Sequence, residues 1–264
     1  MNAPRPETCL LLGADHGELG TAVLQTAASG QVALALSAGV DESVRTRKEG
    51  AEHLNEDVAL AWLGRDRWIL AVADGHEGIE ASHRLVQQLA MHAPTYPRHP
   101  LEQALWWRDV AKELGDVGYA GTTLVVAAWE PLTSRVRGLS YGDSRVWRWR
   151  PGGGLRDLAE PTHNFVRPGD LYAWHLDHAS AFDERLQTGD VLLLHSDGVT
   201  ECCYRTPEAS VTQDDLEALC EAARGDPEAV ARAVLDASLQ GVREQPGGQD
   251  NVAVVVARPV RAIL

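Results

Sequence analysis

Five apolar runs in this chain begin or end on an aspartate. Asp57 precedes VALAWLG (58–64), Asp74 closes WILAVAD (68–74), Asp143 closes RVRGLSYGD (135–143), Asp197 closes DVLLLHSD (190–197) and Asp250 opens DNVAVVVAR (250–258). Short runs rich in β-branched and aromatic residues read as strands. Five acids thus sit at five strand tips. Asp74, Asp197 and Asp250 are each followed by Gly or Asn, and Asp-Gly is among the commonest turn dipeptides. Taken singly, each acid is a turn residue or a ligand. If the tips meet at one sheet edge, several carboxylates crowd into a small space.

The remaining pattern supports sheets of that kind. VALALSA (32–38), TTLVVAAWE (122–130) and SRVWRWR (144–150) are further strands, and 58–64 and 68–74 flank Arg65-Asp66-Arg67 as a hairpin. Helices are predicted over 80–92, with Leu85, Val86 and Leu89 on one face, and over 101–115, with Leu101, Leu105 and Leu114. Thr212 with Asp215 is a capping-box pattern opening a helix to about Arg224, and Asp226-Pro227 opens another that ends near Gly241. Strands in hairpin-like runs and helices in adjacent pairs argue for an α+β domain of antiparallel sheets covered by helix pairs, not a βαβ array. At 264 residues and 44% apolar content, residues 1–264 are expected to form one domain. Residues 151–189, rich in Pro, Gly, His and Asp, read as a long irregular insertion. Gly152-Gly153-Gly154 reads as a hairpin turn, since no GK[ST] follows to make a phosphate loop.

The formal net charge is −14, which repels nucleic-acid backbones and anionic lipid and argues against both as partners. No run approaches the roughly 20 apolar residues of a membrane span, and CLLLGA (9–14) is too short for a secretory signal core. Cys9, Cys202, Cys203 and Cys220 show no CxxC spacing and read as free thiols of a reducing compartment, so a cytoplasmic protein is expected.

Crowded carboxylates cannot all stay ionised unless cations neutralise them. Oxygen-only ligands select hard ions such as Mg²⁺ or Mn²⁺ over Zn²⁺. A pair of such ions roughly 4 Å apart is a device for in-line displacement at phosphorus.

Six segments sharpen this reading: NED (55–57), VADGHEG (72–78), AGTT (120–123), YGDSR (141–145), LLLHSDGVT (192–200) and GGQDNVAVVV (247–256). By these motifs, in this order, the chain resembles the metal-dependent protein phosphatases of the PPM (type 2C) family over residues 55–258. The resemblance implies a four-layer α-β-β-α sandwich with a binuclear Mn²⁺ or Mg²⁺ centre in a cleft between the sheets. It implies hydrolysis of phosphoserine and phosphothreonine on proteins by a metal-activated water, without a phosphoenzyme, in opposition to a serine/threonine kinase. On that pattern Asp74 would bridge the two ions, Gly75 would give its carbonyl to one, and Asp197 and Asp250 would hold the other. Glu56 would act through a water, with Asp57 behind it, and Asp143 would join Asp197 at the third, weaker site of bacterial members. His76 would protonate the leaving oxygen, a task that suits an imidazole because it ordinarily titrates near neutrality.

Two departures stand out. Where the family carries a phosphate-binding arginine, this chain has Glu52, followed by His53. His53 or the RTRK run (Arg45, Arg47, Lys48) is the expected substitute, the alternative being that RTRK is a solvated charge cluster. The family's flap falls within 151–189 and is short, carrying His163, His175 and His178 beside Trp174. Arg145 is expected in a structural ion pair, and Thr122 and Thr123 in packing or turns. The competing reading is a catalytically weak pseudophosphatase used as a partner-binding module. Glu52 speaks for it; the intact set of Asp74, Asp197, Asp250 and His76 speaks against it. A two-metal nuclease is disfavoured by the negative charge.

Overall fold

In the computed structural model, which describes residues 6–49 and 51–258, the elements follow in chain order. They are β1 (Glu7–Leu12), β2 (Ala22–Ala27), β3 (Val32–Ser37), α1 (Ser43–Arg47), β4 (Val58–Leu63), β5 (Trp68–Ala73), β6 (Gly75–His76), α2 (Glu80–His92) and α3 (Pro100–Leu114). Then come β7 (Gly121–Thr122), β8 (Leu124–Glu130), β9 (Arg135–Tyr141), β10 (Arg145–Arg150), β11 (Gly154–Asp157), β12 (Ser180–Arg185) and β13 (Val191–His195). The chain closes with α4 (Asp197–Thr200), α5 (Gln213–Ala222), α6 (Pro227–Gln240) and β14 (Val252–Ala257).

Two six-stranded antiparallel sheets result, in the orders β1-β4-β5-β8-β9-β12 and β11-β10-β13-β14-β3-β2. The period-2 alternation of a strand divides each central run between two cores. Leu70 and Val72 of β5 meet Leu34, Leu36 and Val255 of the other sheet, while Ile69 and Ala71 turn outward under Leu85, Leu89 and Trp107 of α2 and α3. On the other side Leu193 and Val254 pack under Leu216, Val230 and Val234 of α5 and α6. Both faces of the central strands are therefore dry, which is why those runs are unbroken apolar residues and not the half-polar alternation usual in antiparallel sheets. The expected α-β-β-α sandwich is the observed architecture.

Local expectations hold at several joints. The Thr212–Asp215 capping box forms, and Asp226 caps α6 by accepting the Ala229 N–H. The glycine triplet turns between β10 and β11, with the Gly153 N–H donating to the Arg150 carbonyl at 2.9 Å. Arg145 pairs with Asp157, and all four cysteines are buried free thiols. Among the described residues no helix is long and apolar enough to cross a membrane.

The stretch 151–189 departs from expectation. It holds two edge strands, β11 and β12, which leaves 158–179 as its longest stretch without a strand. Edge strands face solvent and keep polar side chains, as in SAFDER of β12, so they carry no apolar signal. β2 escaped for a similar reason, β1 shows only as the short apolar run CLLL within the segment weighed as a signal core, and α1 and α4 are too short to show a helical period.

Candidate metal centre and its cleft

Asp74 leaves β5 at the edge of its sheet and is held there by its backbone. Its N–H donates to Thr123 Oγ1 at 3.1 Å, and its carbonyl accepts the Thr123 N–H (2.9 Å) and the Thr122 hydroxyl (2.8 Å). Ser144 Oγ braces Thr123 Oγ1 at 2.6 Å. The two threonines thus do more than pack: they hold the Asp74 peptide. The register pairs Val58 with Ala73, which sets Asp57 beside Asp74. Asp197 follows β13 and opens α4, whose Gly198 is pressed against β14: a Cβ there would lie 1.7 Å from the Asn251 carbonyl oxygen. Asp143 sits in the β9–β10 turn.

One carboxylate oxygen from each of Asp74, Asp143 and Asp197 falls within 4.8 Å of the others. Asp57 is fully buried, and neither of its oxygens has a hydrogen-bond partner; nor do Asp74 Oδ2 and Asp143 Oδ1. Burial raises Asp57 to about 6. Burial and then the Asp57 charge hold Asp74 well above the ordinary carboxylate range. Burial and the neighbouring Asp74 and Asp250 charges do the same for Asp197. Buried carboxylates without donors call for a counter-charge, and an all-oxygen set fits hard divalent cations. Gly75 fits as well, since a Cβ there would meet the Glu56 carbonyl oxygen at 2.6 Å and Ser82 Oγ at 2.7 Å.

Glu56 and Asp250 reach the same place from β4 and β14. Asn251 ties these strands together, accepting the Glu56 N–H at 3.1 Å and donating to the carbonyls of Ala38 and Leu54. Glu56 accepts the Gly78 N–H at 2.8 Å and pairs with Lys48. Asp250 takes Arg47 at 3.0 Å, and that guanidinium lies 4.3 Å over the Tyr204 ring. The RTRK run therefore does reach the site, through Arg47 and Lys48. Arg45 does not: it lies 3.6 Å from Glu42 on the exposed side of α1.

Beside the carboxylates opens a cleft of about 740 Å³, lined among others by Arg47, Lys48, Glu52, His53, His76 and Arg167. His53 faces Glu52 at 4.0 Å. His76 Nε2 lies 3.5 Å from Asp74 Oδ2, and its ring meets Phe165 edge-on at 4.3 Å. Sequence reasoning singled out neither Phe165 nor Arg167. The available signal was NFVRP (164–168), a short extended pattern ending at a proline, which restricts the residue before it to extended backbone.

The chain belongs to the Stage II sporulation protein E (SpoIIE) family, whose model matches residues 64–260. Its fold is that of the PPM serine/threonine phosphatases. The catalytic domain of the serine/threonine protein phosphatase PstP, in complex with two manganese ions, superposes with a TM-score of 0.62 at 22% identity, covering 90% of this chain and 99% of that one. The PPM phosphatase MsPP from Mycobacterium smegmatis, in complex with cacodylate, gives 0.60 at 21%, with 87% and 98% covered. PppA, a regulatory component of the type VI secretion system in Pseudomonas aeruginosa, gives 0.59 at 21%, with 91% and 100% covered. No curated protein matches the sequence.

Proposed function

We propose that this chain is a metal-dependent protein serine/threonine phosphatase. The observation that carries the reading is the cluster of Asp74, Asp143 and Asp197 oxygens within 4.8 Å of one another, with Asp74 Oδ2 and Asp143 Oδ1 lacking any hydrogen-bond partner, beside a cleft that also holds His76. Asp74, Asp197 and Asp250, with the Gly75 carbonyl, would hold two Mn²⁺ or Mg²⁺ ions; Asp143 with Asp197 would hold a third. Glu56 would contribute through a water and Asp57 from behind. When bound, such ions supply Lewis-acid polarisation of the phosphoryl oxygens and lower the pKa of the attacking water.

The protein's own groups do the rest. Thr122, Thr123 and Ser144 fix the Asp74 peptide, so its carboxylate is placed before any ligand arrives. Asp74 Oδ2 orients the His76 ring from 3.5 Å. His76 passes a proton to the departing seryl or threonyl oxygen. The substrate is a phosphoprotein whose phosphate an opposing serine/threonine kinase supplies.

The test is phosphate release from p-nitrophenyl phosphate and from a phosphothreonine peptide, with Mn²⁺ and then with excess EDTA, for the wild type and Asp197→Asn. Mn²⁺-dependent turnover that collapses in the variant is expected. Calorimetric metal binding with both substrates left intact would overturn the reading.

A further inference from the structure

A phosphate dianion entering the cleft meets Glu49, Glu52, Glu77 and Glu80 on its walls. It needs a cation that no carboxylate already holds. Arg47 is spent on Asp250 and Lys48 on Glu56, while His53 faces Glu52. Among the described residues that line the cleft, Arg167 is the cation with no carboxylate in ion-pair range.

Its position is built, not incidental. Val166 exchanges two backbone hydrogen bonds with Thr122, at 2.9 and 2.8 Å, and Thr122 is the residue whose hydroxyl holds the Asp74 carbonyl. The Val166 side chain is buried in the core beneath α2 and α3. Neighbours in an extended chain project to the opposite face, so Phe165 and Arg167 both turn toward the cleft. Phe165 packs on His76. Arg167 lies over Gly121, where a Cβ would come within 3.4 Å of Nε, and Gly121 is the strand partner of His76. The guanidinium thus sits one strand across from the imidazole.

The backbone of Arg167 is anchored from below. Its carbonyl accepts the Trp174 indole N–H at 3.2 Å, Trp174 stacks on Trp107 at 5.7 Å, and the Tyr141 hydroxyl donates to the Trp174 carbonyl at 3.2 Å. Pro168 keeps Arg167 extended. An arginine fixed at its backbone and exposed at its fork is pre-organised for two-point recognition of phosphate oxygens.

We infer that Arg167 binds the substrate's phosphate beside His76, an assignment that rests on the phosphatase reading above. Steady-state kinetics on a phosphothreonine peptide with the Mn²⁺-loaded full chain test it. Arg167→Ala should raise KM about 10- to 100-fold while kcat stays within about threefold, as expected for loss of a charge-assisted hydrogen-bond pair. Arg167→Lys should recover part of the loss, since it keeps the charge without the fork. Arg232→Ala, which removes an equal charge on the distant α6, should leave KM unchanged. An unchanged KM for Arg167→Ala, or a fall in kcat alone, overturns the assignment.

Titration of inorganic phosphate into the same loaded proteins separates the two readings. If the wild type hydrolyses neither substrate, the phosphatase reading fails, yet a phosphate affinity at least tenfold weaker in Arg167→Ala still supports the site. Equal affinity in wild type and variant, or no phosphate binding by the wild type, overturns it.

Discussion

The strand tips that carry the carboxylates and the irregular stretch 158–179 beside them are held by different means. β5 lies between β4 and β8, and β13 and β14 lie side by side inside the second sheet. Asp74 and Asp197 therefore emerge from strands paired on both sides and buried on both faces. Asn251, Thr122 and Thr123 add side-chain bonds at the same places. The stretch 158–179 is attached at separate points: Leu158 to Val146, Thr162 to Gly142, Val166 to Thr122, and the buried indole of Trp174. The tips are held by sheet pairing along whole strands, whereas the backbone of Phe165 and Arg167 is held at a few discrete points, so removing one anchor should be felt more in the second region than in the first.

The largest effect should come from the tips. Asp197→Asn should lower turnover on the order of 10³-fold, the scale of losing a group that stabilises transition-state charge. In excess EDTA the same variant should melt about 2–4 °C higher, because one of several crowded buried charges is gone and ~1 kcal/mol moves a domain of this size by that much. Scanning calorimetry checks this; a lower melting temperature would mean the tips depend on those charges for their shape.

Trp174→Ala should cost about 3 kcal/mol, the low end for an aromatic core truncation. Limited proteolysis should then cut within 158–179 while Mn²⁺ affinity stays within a few-fold of wild type. Metal affinity that collapses together with the stretch would erase the contrast between the two regions.

A smaller, graded effect concerns His83 on α2, whose Nε2 accepts the Ala14 N–H at 3.2 Å. Burial lowers its pKa to about 4, against about 6.5 in an unfolded chain. Between these values the unfolded state binds more protons, so stability is fully present above about pH 6.5 and falls as pH drops toward 4. His83→Gln should flatten that slope by at most one proton's worth, as measured by melting temperature against pH. An equal slope in the variant would place the titration elsewhere.

The smallest effect should be Phe165→Ala. Its exposed ring contributes little to folding, within about 0.5 kcal/mol, but removing its contact with His76 should lower kcat about 2- to 10-fold, the range of an aromatic pair. A loss confined to stability would show that the ring serves packing alone.

Much of the site was legible because its signal is local. An apolar run that begins or ends on an aspartate reveals both the strand and its tip, and Asp57, Asp74, Asp143, Asp197 and Asp250 were all found that way. Helix α2 was legible from its period, and α5 and α6 from caps such as Thr212 and Asp226; in α3 the helix was legible but not its face, since Leu101 and Leu105 are exposed and Ala104, Trp107, Val110 and Ala111 are buried instead. The edge strands β11 and β12 were not, because half-exposed strands keep polar composition.

By itself, then, the sequence determined which residues form the inner strands and which acids lie at their ends, since burial on both faces and the acid that interrupts it are written in consecutive positions. Only the tertiary structure decided where the cations go. Arg45, Arg47 and Lys48 are near neighbours in sequence, yet one points to Glu42, one to Asp250 and one to Glu56. Arg167 reaches the side of His76 only because Val166 pairs with Thr122 and Trp174 stacks on Trp107. Long charged side chains take their destinations from partners far away in the chain, and no local pattern records those partners.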